Sequence, residues 1–118
     1  MRYRILFAAA CLACWGLAAC SKKSSGSTNT GTNCSTVSAS FATNVLPLIQ
    51  GRCSTSPGCH AAGSTNSGGP LTNYAQISAR ANQIKSSVNA GTMPQGSSLT
   101  NAEKATISCW VDAGALNN

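Results

Sequence analysis

Apolar positions in this chain gather into three stripes at helical spacing, separated by long polar stretches. In the first stripe Phe41, Val45, Leu48 and Ile49 recur three to four residues apart and mark one helix face. Ser38 or Ser40 can cap that helix. Pro47 is either early enough to be tolerated or kinks the helix, and Gly51 ends the run just before Cys53. The second stripe, Tyr74, Ile77, Ala81, Ile84 and Val88, predicts one helix or two short ones. In the third, Ile107, Trp110, Val111 and Gly114 share a face. That helix is announced by Thr100-Asn101-Ala102-Glu103, a capping box in which each side chain satisfies an orphan amide of the first turn. Gly114 suits its C-terminal cap. Between the stripes, Ser54 to Pro70 and Asn89 to Ser98 are too rich in Ser, Gly, Asn, Thr and Pro for regular structure. No alternating strand pattern occurs. The expectation is an all-α domain of three or four helices joined by long loops. Such loops are uncommon in a compact domain unless they serve a function, such as wrapping a ligand.

The start of the chain reads differently. Arg2 and Arg4 precede a continuous apolar run from Ile5 to Trp15, too short to span a bilayer comfortably. Leu17-Ala18-Ala19-Cys20 then resembles the lipobox of bacterial lipoproteins, which implies a signal peptide over 1–19 and lipidation of Cys20. The plainer alternative is an ordinary secretory signal with a coincidental cysteine; both readings export the chain to the periplasm or cell envelope. Cys11-Leu12-Ala13-Cys14 has the spacing of a redox pair but falls inside the export core and lacks a βαβ context. Residues 20–33 form a Ser/Thr/Gly/Asn tether with an r.m.s. reach of roughly 20 Å. The folded domain is expected over 34–118.

Composition narrows what that domain can do. Its only aromatic residues are Phe41, Tyr74 and Trp110, and a domain this small usually needs a disulfide, a metal or a cofactor to complete its core. The cations Arg52, Arg80, Lys85 and Lys104 are scattered, without aromatic interleaving, so a nucleic-acid partner is not expected. Glu103 and Asp112 are the only acidic side chains, and Glu103 is used in a cap, so a two-carboxylate hydrolase lacks parts. A Cys–His nucleophile needs the pair to converge from separate positions, which adjacent Cys59 and His60 do not offer.

The candidate chemistry lies in Cys53-Ser-Thr-Ser-Pro-Gly-Cys59-His60 and, downstream, Gly91-Thr92-Met93-Pro94. His60 is the only histidine. Two thiols, one imidazole and one loop-borne thioether are the inventory of a covalently held haem with His and Met axial ligands. On these residues the domain resembles a small bacterial class I cytochrome c over 34–118. The resemblance implies attachment at Cys53 and Cys59, iron ligation by His60 and Met93, and cofactor contact from Pro70 and Trp110. It implies that a carbonyl in Gly69-Pro70-Leu71 accepts the second ring N–H of His60. Attachment at both thiols leaves Cys34 and Cys109 to pair. The sequence departs from the family in placing five residues between the cysteines instead of two, with Pro57-Gly58 as a plausible turn for the excess; whether Cys53 is attached stays open. The function implied is electron transfer by one haem c in a lipid-anchored, monomeric carrier that exchanges electrons with redox proteins, without catalysis. Two other readings of the same residues remain: a haem-free Cu(I) module using Cys53, Cys59, His60 and Met93, and a structural domain in which Cys53 and Cys59 form a local disulfide.

Overall fold

The computed structural model describes residues 32–118; the expected signal peptide, the expected lipidation site Cys20 and nearly all of the expected tether lie outside the described residues. Within them the chain is helical, without a strand, and no helix is long and apolar enough to cross a membrane. A single 3₁₀ turn, Cys34–Thr36, comes first, and Cys34 is disulfide-bonded to Cys109.

The first helix has two parts because of its proline. Pro47 supplies no N–H, and its ring crowds the carbonyl four residues back. The turn before it is widened: the amides of Val45 and Leu46 donate to carbonyls five residues back, on Ser40 and Phe41. This π-helical segment, Phe41–Val45, runs directly into α1, Leu46–Arg52, with Pro47 in the first turn where a missing amide costs least. α1 continues one residue past Gly51 and ends when Cys53 and Ser54 both donate to the Ile49 carbonyl, at 2.8 and 3.0 Å. Ser40 occupies the N-cap position, yet its hydroxyl does not cap. Asn118 does so instead: its side-chain oxygen accepts from Phe41 N–H and its backbone oxygen from Ala42 N–H, each at 2.8 Å.

The second stripe forms two helices, α2 (Tyr74–Ser78) and α3 (Ala81–Asn89). Asn73 caps α2 by accepting from Gln76 N–H at 3.1 Å. The break falls at Ala79-Arg80, where Arg80 N–H turns back to Ile77. α4, Asn101–Asp112, carries the complete Thr100/Glu103 capping box. It ends in a Schellman pattern: Gly114 N–H donates to Val111 and Ala115 N–H to Trp110, with Gly114 at φ +96°. Only a residue without Cβ takes that φ cheaply.

The π segment and α3 both pack on α4. The seam is aromatic: the Phe41 ring meets Tyr74 edge-on at 5.0 Å and Trp110 at 5.6 Å. Val45, Ile49, Ile77, Val88, Leu99 and Ile107 complete one buried cluster, to which Cys53 and Leu71 belong at its edge.

A cavity that gathers the thiols, the imidazole and the thioether

One cavity of about 580 Å³ opens beside that edge, within the size range of small-molecule and cofactor sites. Its wall is drawn from the end of α1, the 53–71 segment, α3 and the 91–98 loop, and Cys53, Cys59, His60 and Met93 all line it. Residues forty positions apart in sequence thus share one space.

Each is held differently. Cys53 sits at the C-terminal cap of α1, buried, its thiol free. Burial, reinforced by the neighbouring Cys59, pushes its pKa up to about 11. Cys59 is exposed and also free, and hydrogen bonds from Ser56 and Thr55 draw its pKa below the usual thiol value. The five residues between them are taken up by a compact turn. Cys59 N–H donates to Ser56 at 2.9 Å, Ala61 N–H also reaches Ser56, and His60 N–H returns to the Cys53 carbonyl at 3.0 Å. The widened spacing is therefore closed at its base by a backbone bond that sets His60 next to Cys53.

His60 is half-buried, and its Nδ1 lies 2.8 Å from the Gly69 carbonyl. A carbonyl only accepts, so Nδ1 carries the proton and the lone pair resides on Nε2. That bond fixes the ring's orientation and tautomer, as is usual for a metal-ligating histidine. Gly68 makes the approach possible. Its φ of +102° is a conformation that a residue with a Cβ takes only under strain, whereas the space beside the ring, with His60 Cε1 3.4 Å from a Cβ position, is ordinary contact. The carbonyl in question is that of Gly69, whereas Pro70 does not line the cavity.

Met93 is half-buried in a loop folded back onto the end of α3, where Thr92 N–H donates to the Ser87 carbonyl at 3.0 Å. Trp110 lies elsewhere. It faces Phe41 on the α4 seam, 1% exposed, with its indole N–H donating to the Leu116 carbonyl at 2.8 Å. Neither Trp110 nor Pro70 lines the cavity, and Trp110 packs in the α4 seam. The reason for Trp110 is geometric: its apolar face is spent on joining α4 to the first helix.

Several lining residues carry no signal in the sequence. Arg52 and Arg80 reach the cavity from α1 and the α2–α3 break. Arg52 is ion-paired with Glu103 at 2.8 Å and Arg80 donates to Gln83 at 3.3 Å. No carboxylate lines the cavity, and of its two arginines Arg52 is already paired with Glu103, so the cationic part of the rim is Arg80. Leu71, Ile84 and Val88 give it an apolar floor.

Among the described residues, no three His, Cys, Asp or Glu side chains are grouped to hold a metal ion. A bare ion needs its ligands about 2.0–2.3 Å away around one point. A haem distributes the same residues, with thioether links at the ring edge and axial donors on its iron. The residues present fit that group: two unpaired thiols, a histidine with a fixed tautomer, a thioether, an apolar floor and a rim arginine. Compared with protein-family models, curated proteins and solved structures, the chain matches none.

Proposed function

We propose that this chain is an exported, lipid-anchored monohaem c-type cytochrome that carries electrons between redox proteins and turns over no substrate. The observation that supports the reading is the shared cavity, in which Cys53, Cys59, His60 and Met93 meet with His60 Nδ1 already tied to Gly69. Bound there, a haem would supply one-electron chemistry at its iron. Cys53 and Cys59 would hold it covalently, and His60 Nε2 and the Met93 sulfur would be its axial donors. Leu71, Ile84 and Val88 would exclude water from its face. Arg80, which has no carboxylate partner among the described residues, suits the carboxylates that a haem carries. With His60 and Met93 both serving as its donors, the group would supply electron transfer in preference to substrate turnover. The lipobox at Cys20 and the polar tether would keep the domain at a membrane surface.

The test is a pyridine haemochrome spectrum of protein made with a c-type haem maturation system and extracted with acid–acetone. Retained haem with an α-band of two thioether links is expected; a red-shifted band would mean one link. His60→Ala is expected to abolish stable haem incorporation. Met93→Ala is expected to keep haem and lose the far-red sulfur-to-iron charge-transfer band. Absence of retained haem in the wild-type protein would overturn the reading, and persistence of that band in the variant would remove Met93 from it.

A further inference from the structure

The two thiols differ in what holds them. Cys53 is seated in the buried cluster and at the end of α1, so packing and helix geometry both fix its sulfur. Cys59 is exposed, and its side chain has no apolar seat. Apart from hydrogen bonds from Ser56 and Thr55, the place of its sulfur is set by the backbone, through the peptide unit that joins it to His60.

That peptide is clamped from one side by two side chains of the following loop. Ser64 is 7% exposed, a buried hydroxyl in a segment of otherwise solvated residues, and it donates to the Cys59 carbonyl at 2.5 Å. Asn66 donates from its side-chain amide to the same carbonyl at 3.1 Å and to the Gly58 carbonyl as well. The two are coupled, since Asn66 N–H donates to the Ser64 hydroxyl at 3.3 Å. A carbonyl held by two donors cannot rotate, and its plane fixes both the last dihedral of Cys59 and the first of His60. On the far side, His60 N–H is held by Cys53 and the His60 carbonyl by Leu71 N–H at 2.8 Å.

We propose that Ser64 and Asn66 are positioning residues: they hold the Cys59–His60 pair in register with the cavity and so make the five-residue cysteine spacing workable for two-point haem attachment. The proposal rests on the cytochrome reading. A spacing of two residues lets one helical turn present both sulfurs; a spacing of five removes that constraint, and the clasp restores it. The step served is addition of a thiol across a vinyl group. The sulfur–carbon bond forms, the thiol hydrogen ends on the neighbouring carbon, the double bond becomes single, and no oxidant or reductant is needed. Cys53 does not depend on the clasp, so its removal should affect one link only.

The full chain is made with the same maturation system as wild type, Ser64→Ala, Asn66→Asp, the double variant and Thr65→Ala, an exposed neighbour in the same loop. Denatured protein is alkylated at free thiols and the peptide spanning Cys53 to Arg80 is weighed, alongside the haemochrome spectrum. In wild type and Thr65→Ala, both cysteines are expected to be linked and no thiol free. In the clasp variants, haem is expected to remain on Cys53 with Cys59 alkylated and the α-band red-shifted, most completely in the double variant. A merely structural loss would lower haem content without changing the links per haem. Two links per haem in every variant, or loss of the Cys53 link instead, would overturn the clasp and leave the cytochrome reading standing. A wild type without haem would overturn both.

Discussion

Cys53 and Cys59 show how little a residue's name says about its reactivity. They are the same side chain six positions apart, yet burial raises the pKa of the first to about 11 and local hydrogen bonds lower that of the second. In haem-free protein at neutral pH, iodoacetamide is expected to modify Cys59 rapidly and Cys53 barely, as read by mass spectrometry of the peptide between Arg52 and Arg80. Equal rates would contradict the burial. The same shift has a consequence for stability. A folded pKa above the usual thiol value of 9.0 means the native state holds its proton where the unfolded chain releases it. The contribution is therefore complete below about 9 and lost as pH rises towards about 11. The urea midpoint of the haem-free protein should fall across that window, and Cys53→Ala should flatten the fall.

At the scale of elements, α4 is the helix whose ends are most fully specified. Thr100 and Glu103 cap one end reciprocally and the Schellman turn at Gly114 closes the other. Glu103 also receives Arg52 at 2.8 Å, which brings the end of α1 to the start of α4. Thr100→Ala removes the hydroxyl that accepts from Glu103 N–H and should cost about 1 kcal/mol in urea unfolding. The first helix behaves in the opposite way. Its serine cap was readable locally, but the structure assigns the capping to Asn118, distant in sequence. Its proline was readable as a perturbation, and the answer, a widened turn that leaves Phe41, Val45 and Ile49 on the core side, emerges only when the helix must still face α4. The second stripe divides at Arg80, and the division turns Arg80 towards the cavity.

For the molecule as a whole, the Cys34–Cys109 bridge closes a loop of 75 residues between the start of the folded domain and the last turn of α4. Restricting the unfolded chain over that length is worth about 4 kcal/mol in the chain-entropy account. The double variant Cys34→Ala/Cys109→Ala should lose stability of that order in urea unfolding of the haem-free protein, a large share of the 5–15 kcal/mol typical of domains. A change under about 1 kcal/mol would mean that the aromatic seam alone closes the fold.

What the sequence by itself determined is whatever rests on periodicity and local chemistry: three apolar stripes at helical spacing, the α4 capping box, the glycine at its end, and the inventory of Cys53, Cys59, His60 and Met93. These are readable because their causes lie within four residues of one another. The tertiary structure alone decided which of those residues meet. It joined Met93 to His60 across one cavity, aimed the Gly69 carbonyl at the imidazole, and turned Trp110 away onto Phe41. It also gave Ser64 and Asn66, two residues in a stretch readable only as polar loop, a shared carbonyl to hold. Such partners are chosen by chain closure and packing among distant segments, and no local pattern encodes that choice.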